Sequence, residues 1–542
     1  MKFFEFFRKE SEASEGKIII MILLAGASNG LLISLINAGA EMAANLKVEA
    51  RIFFLYMLAF ALYIITQRYA LSESIVALEG AVRKVRLRIA GKIHRTELQF
   101  IEKAGQGEIY NKLTQDSNVV SQSIIFAIFS AQSSIVLLFT LFYIAWISFK
   151  IFLVCVATIS TIILLRISIN KKLTESIKKA FKKETQFFDV LNHLLRGFKE
   201  VKINRKKNED LYKEIETISI ETEELKIAAG IQSINLVMIT RLGVYFLLPV
   251  IVFIMPLFYF VDQDSIYEIT SATLFIIGPI NVIMVAMPML TRADVAIKSL
   301  YDLEHTLDKV ISGHDDTEGE ILALPEAFQK ITLSDLSFHY TDKENNSLFS
   351  IGPVNLTINR GEILYIIGGN GSGKSTLLKL LTGLYYPDEG SISFDDRKIH
   401  KNNYQSYREL FSIIFTDFHL FDKLYGLRDI DPEQVDSLLR LMKLDEKTKY
   451  LEKRFTNMEL STGQKKRLAF ISAMLENKPI CIFDELAADQ DPYFRKQFYE
   501  VILQDLKKQG KTIIAVTHDD HYFHTADRVL KVEYGQLSEY QS

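Results

Sequence analysis

The sequence predicts two unlike halves: an all-α domain of six transmembrane helices, then an α/β domain built around a phosphate-binding loop. Three observations lead there. Six long apolar runs fall between Ile18 and Leu290. All ten prolines lie at or after Pro249, so the chain before it can run as long unbroken helices. A short apolar strand, Ile363–Ile367, leads straight into a glycine-rich loop of the GxxxxGK[ST] form.

Composition agrees with two halves and excludes several classes. A chain of 542 residues exceeds the roughly 250–300 that one core usually organises. With 49% hydrophobic residues it buries too much to stay disordered. Cys155 and Cys481 are its only cysteines, which excludes a disulfide scaffold. The 63 Lys and Arg are offset by 66 Asp and Glu, so no nucleic-acid partner is expected. A mean hydropathy of +0.13 fits an average over a membrane half and a soluble half.

The apolar runs are Ile18–Ala40, Ile52–Ile65, Ile124–Ser148, Ile151–Ile169, Leu236–Phe260 and Ile269–Leu290. A hydrocarbon core of roughly 30 Å needs about 20 helical residues, which five runs reach or approach. The second reaches it by continuing through Gln67 to Ile75. The first follows a mixed-charge lead and is too long for a cleavable signal. That lead holds no cysteine, so a cysteine-peptidase domain is not expected ahead of the first span. Between runs two and three lie Arg83, Lys84, Arg86, Arg88, Lys92 and Arg95; between four and five lie Lys171, Lys172, Lys178, Lys179, Lys182, Lys183 and Arg205–Lys207. The connection Val261–Glu268 is acidic and holds no Lys or Arg. Basic loops stay cytoplasmic, which places both termini and the second half in the cytoplasm. Asn37, Glu41, Arg241 and Asn281 are candidates for a substrate path because polar residues within spans are costly. Gly278-Pro279 and Pro288 are expected to bend the sixth helix.

The expected domains are 1–304, a linker at 305–329, and 330–542. In the last, Ile363–Ile367, Cys481–Phe483 and Thr512–Val516 alternate with helical stretches, implying parallel strands with crossover helices. The loop reads Gly368, Gly369, Asn370, Gly371, Ser372, Gly373, Lys374, Ser375, with Thr376 opening the next helix. Its glycines let backbone N–H groups approach phosphates, Lys374 reaches the β- and γ-phosphates, and the Ser375 hydroxyl ligates Mg2+. The strand ending in Asp484-Glu485 suits metal-assisted phosphoryl transfer: Asp484 for Mg2+ and Glu485 for the attacking water.

Leu460-Ser461-Thr462-Gly463-Gln464 resembles the LSGGQ signature of ABC ATPases, with Thr462 in place of the first glycine. Other family elements follow in order. Tyr340 resembles the aromatic residue that stacks on adenine, Asp491 the D-loop aspartate and His518 the switch histidine that contacts the γ-phosphate. The whole chain is similar to an ABC exporter half-transporter. That resemblance implies ATP with Mg2+ as cofactors, an ATPase coupled to transport, and a multi-pass location in the bacterial inner membrane. Ser461, Gly463 and Gln464 would contact ATP held by a partner's phosphate loop, so a homodimer is implied. At the position of the family's Q-loop glutamine stands Thr416, within Phe411–Phe421. This text resembles bacterial exporters of cyclic peptides and siderophore precursors, such as those for syringomycin and pyoverdine. The substrate expected is therefore peptide-like or amphipathic. The alternative is a lipid or multidrug exporter of the same layout. A short helix near Leu195–Val201, in the second basic loop, is expected to contact the ATPase near Thr416.

Overall fold

The computed structural model describes residues 2–12, 14–44, 49–254, 263–312, 328–341, 347–400 and 403–540. Most of the expected linker and the start of the acidic connection at 261–268 lie outside them, as does the side chain of Glu41. Two compact units emerge: 1–91 with 107–304, and 92–106 with 305–542.

The first unit is helical. α1 (Lys2–Glu10) is amphipathic and buries Phe3 and Phe6. The long helices are α2 (Glu15–Ala44), α3 (Ala50–Arg95), α6 (Ser117–Ile147), α7 (Phe149–Arg196), α9 (Arg205–Pro249) and α10 (Gln263–Ser312), and the shorter pieces are α5 (Gln106–Asn111) and α8 (Phe198–Ile203); α4 (Leu98–Ala104) falls in the second unit. Among the described residues five helices are long and apolar enough to cross a membrane; at the fourth expected run, Ile151–Ile169, the apolar stretch of α7 is shorter, Phe149–Leu165. After Pro249 the backbone passes into one π-helical turn, Val250–Ile254. α10 continues as helix through Pro279 and Pro288. α2 and α6 approach closely at Gly26, where a Cβ would stand 2.5 Å from Ile135 Cγ2, so only glycine fits. α7 and α9 are joined by Lys183–Glu221 and by Lys226–Glu184. Arg88 pairs with Glu10 at 2.8 Å and with Glu304 at 2.6 Å, pinning α1 and α10 to α3.

The second unit is α/β. An antiparallel sheet orders β2 (Ser347–Asn359), β1 (Lys330–Thr341), β4 (Glu389–Phe394) and β5 (Arg397–Lys398). The larger sheet orders β12 (Gln536–Glu539), β11 (Arg528–Glu533), β3 (Ile363–Ile367), β10 (Thr512–Val516), β9 (Ile480–Asp484) and β6 (Phe411–Ile414), with β12 alone antiparallel. A small hairpin joins β7 (Tyr450–Leu451) and β8 (Arg454–Phe455). β3, β9 and β10 are buried throughout, as strands covered on both faces must be. Leu364 and Ile366 pack with Leu377 and Leu378 of α11 (Lys374–Leu381), while Ile363 and Tyr365 pack on the opposite face with Phe470 and Phe483. In register, Val516 sits beside both Ile366 and Asp484. The carboxyl ends of three adjacent strands therefore open onto one crevice, where such sheets bind ligands.

Candidate nucleotide site

The phosphate loop leaves β3 with Gly368 at φ +150°, Gly371 at +77° and Gly373 at +112°. A Cβ at Gly368 would come within 2.3 Å of the Val532 carbonyl oxygen. Gly369 and Gly371 face open space, leaving their backbone accessible, and Asn370 is exposed between them. Lys374 is buried and donates to the carbonyls of Gly368 at 2.9 Å and Gly369 at 3.1 Å, so its ammonium is held over the loop. The Ser372 hydroxyl is buried and has no hydrogen-bond partner among the described residues. Open glycines, an orphaned hydroxyl and a held cation at a helix N-terminus fit a polyphosphate.

Across the crevice, Ser375 Oγ donates to Asp484 Oδ2 at 3.3 Å. Burial pushes the Asp484 carboxyl above its ordinary range, and its contacts with Thr416 and Ser375 oppose this. A buried carboxylate beside a serine hydroxyl is a donor set suited to a divalent cation. Glu485 follows in the left-handed region at φ +53°, a conformation costing a non-glycine residue roughly 1–2 kcal/mol. Its carboxylate lies 3.1 Å from His518 Nε2. Thr416 donates its amide to Asp484 Oδ2 and its hydroxyl to the Asp484 carbonyl, both at 3.4 Å. The position expected for a Q-loop glutamine is thus tied directly to the candidate metal carboxylate.

The signature segment forms the N-terminus of α14 (Thr462–Leu475), a helix that follows α12 (Tyr404–Arg408) and α13 (Pro432–Leu441). Ser461 and Gln464 form a capping box, the serine oxygen accepting from the Gln464 amide while Gln464 Oε1 accepts from the Ser461 amide. The Ser461 O–H stays available to donate outward. A Cβ at Gly463 would stand 2.8 Å from the Asp489 carbonyl oxygen, whereas Thr462 is exposed. The second glycine is therefore required by packing and the first is not, which explains how threonine is accommodated. Asp491 caps α15 (Pro492–Gln497) through the Phe494 amide at 2.9 Å and pairs with Arg467 at 2.8 Å. Those two contacts hold its carboxyl below the usual range, the Phe494 amide most of all.

Comparison with known proteins locates the whole chain. The profile of the ABC transporter transmembrane region matches residues 17–278, and that of the ABC transporter ATPase matches 351–488. The ATP-binding protein SyrD of Pseudomonas syringae pv. syringae is 32% identical over 466 residues, which is 83% of this chain and 81% of that protein. This chain belongs to the ABC transporter family. The chloroplastic ABC transporter B family member 29 of Arabidopsis thaliana is 30% identical over 295 residues, 51% of this chain and 44% of that protein. A solved structure of a bacterial Atm1-family ABC exporter with ATP bound aligns with a TM-score of 0.78 at 18% identity, over 96% of this chain and 93% of that one, a likeness of fold. The protein is an ABC transporter: a multi-pass membrane region fused to an ATPase that hydrolyses ATP to drive transport.

Within the ABC ATPase unit, Tyr340 is half-buried on β1 with its face against Phe338, Phe349 and Tyr385. Its hydroxyl lies 3.4 Å from Thr376 Oγ1 and from the Tyr385 hydroxyl. Tyr385 donates to Glu102 of α4, and Lys379 of α11 meets the same carboxylate at 2.8 Å. Glu97, just before α4, accepts from Arg408 at 2.9 Å and from the Tyr386 hydroxyl at 2.7 Å. Burial, and then the Glu97 carboxylate, push the Tyr386 hydroxyl upward, so it stays a donor. Hydrogen bonds to charged groups contribute roughly 1.5–3 kcal/mol each when shielded. Sequence reasoning counted the basic residues of this loop and passed over Glu97 and Glu102, its two acids flanking and within the short helix. It also passed over Lys466 and Arg467, whose signal was their place one turn into the signature helix. Cys481 lies buried in β9 with its thiol pushed up to about 11, so it is no nucleophile.

Proposed function

We propose that this ABC exporter moves a peptide-like natural product (a cyclic peptide, lipopeptide or peptidic siderophore precursor) across the bacterial inner membrane as a homodimer, with both termini and the ATPase in the cytoplasm. The substrate class is carried over from the resemblance to exporters of cyclic peptides and siderophore precursors, and the relation to SyrD spans 466 residues, more than the ATPase alone holds. The Phe411–Phe421 text supports it.

One chain holds one phosphate loop and one signature, so two chains complete two composite ATP sites. In each, the loop amides, Lys374 and Ser372 hold the phosphates of ATP, and Tyr340 carries the adenine. Ser375 and Asp484 hold Mg2+, which when bound neutralises phosphate charge; Thr416 supports Asp484. Glu485 accepts a proton from the attacking water and His518 steadies that carboxylate. The partner's Ser461, Gly463 and Gln464 close the site. ATP shifts the equilibrium toward the closed dimer because only that form offers its full contact set. Closure is passed to the membrane helices at α4, and at α8 by docking near Thr416. Phe198 and Ile203 of α8, with Leu195 at the end of α7, give an exposed apolar surface for that contact. Asn37, Glu41, Arg241 and Asn281 remain the candidates for cargo contact.

Mass spectrometry of medium from a deletion strain tests the substrate class: a secreted peptide is expected to disappear. An unchanged secreted peptide profile, with lipid or drug efflux lost instead, rejects it.

A further inference from the structure

We infer that Lys466 is a positioning residue for hydrolysis, tying the signature helix to the backbone of Glu485; the inference rests on the assignment of Glu485 above. The Lys466 side chain is only 4% exposed. Its ammonium donates to the Glu485 carbonyl at 2.7 Å and pairs with Asp489 at 2.6 Å. A buried ammonium persists only with partners, and both of these lie in the turn that follows β9.

The geometry at Glu485 gives that bond its consequence. The residue sits at φ +53°, which the surrounding structure must hold in place. Its amide donates to the Val516 carbonyl at 3.1 Å, and its carbonyl accepts from the Ala488 amide at 3.3 Å as well as from Lys466. Ala488 alone would satisfy the carbonyl, so the Lys466 bond is additional. It fixes the peptide plane after Glu485 and thereby the direction in which the carboxylate points, toward His518.

Three further hydrogen bonds bolt the same helix to the same turn. Gln490 donates to the Gly463 carbonyl at 2.9 Å, and Arg467 holds both Gln490 and Asp491 at 2.8 Å. Only Lys466 reaches Glu485 itself. The helix end that serves the partner's ATP is thus joined, through one side chain, to the carboxylate that serves its own. A shift of the signature helix on filling one site moves the Lys466 ammonium and reorients Glu485 in the other.

The test is steady-state ATP hydrolysis by the purified full-length protein, with Lys466→Met, Lys466→Arg, Glu485→Gln and the double variant K466M/E485Q. K466M is expected to lower kcat about tenfold with the KM for ATP changed less than about twofold, and to cause no further loss on the E485Q background, since both act through one carboxylate. K466R keeps a donor and a charge, so its kcat should lie between K466M and the wild type at unchanged KM. If K466M fails to fold, K466R carries the test. Wild-type kcat in the folded lysine variants overturns the inference. So does a K466M effect that adds in full to E485Q. An E485Q protein that hydrolyses ATP normally overturns the assignment of Glu485 and the inference with it. An inactive E485Q beside an active K466M overturns the inference alone.

Discussion

Two regions of this chain both hold many Ile, Leu, Val and Phe residues and place them oppositely. In the ATPase unit, β3, β9 and β10 are apolar and wholly buried. In the membrane unit, Phe54, Leu58 and Phe142 are each 69% exposed and Trp146 83%. The solvent accounts for the difference. In water, apolar surface contributes roughly 25 cal/mol per Å2 when it is removed from contact, so strands and helices close over it. In lipid that force is absent, and helices associate through close packing and polar links, as at Gly26 and at Arg88 with its two carboxylates. The two basic loops repeat the contrast on a small scale. Glu97 and Glu102 at α4 bond to side chains within the ATPase unit, while α8 in the membrane unit carries open apolar residues.

If the chemistry resides wholly in the ATPase unit, substitutions there should dominate. Glu485→Gln is expected to lower hydrolysis about 100- to 1,000-fold in the purified protein while ATP binding measured by nucleotide fluorescence is retained. Lys374→Ala is expected to weaken nucleotide binding itself, by about tenfold or more, in the same assay. A variant pair in which E485Q lost binding and K374A kept it would break the division of roles. At the loop, Glu97→Gln with Glu102→Gln should leave ATPase activity within about threefold of wild type yet reduce ATP-driven uptake into inside-out vesicles about tenfold, because the clamp rather than the site is lost. Equal losses of both activities would show that α4 supports the ATPase fold instead. The smallest effect is expected for Thr416→Gln, which restores the family residue: hydrolysis should change less than about threefold. A larger fall would show that the threonine hydroxyl at the Asp484 carbonyl is required.

Much of the ATPase was legible because its motifs are local. The strand–loop–helix around Lys374 needs only consecutive residues, and Ile363–Ile367 reads the same in sequence and structure. The acidic pair Asp484-Glu485 was legible for the same reason. The contacts between motifs were not: Thr416 to Asp484, Lys466 to Glu485 and Glu102 to Tyr385 are separated by 68, 19 and 283 residues. Each involves a side chain of an ordinary type meeting a backbone group or side chain elsewhere in the chain, so no pattern marks them. The spans were read from length and hydropathy, which suits five helices and the shorter apolar stretch of α7. The candidate path residues remain individual positions, because an apolar run carries no information on which face turns inward.

By itself, then, the sequence determined that this chain has a membrane half and a nucleotide half, and where the glycine-rich loop stands between strand and helix. Those are properties of consecutive residues: apolar length against a bilayer, and glycines that free backbone amides. Only the tertiary structure decided what holds Glu485 in place and what Glu97 and Glu102 meet. It decided why Thr462 is tolerated beside an obligatory Gly463. These depend on distances between atoms far apart in the chain, which the folding of two β-sheets and their covering helices brings within hydrogen-bond reach.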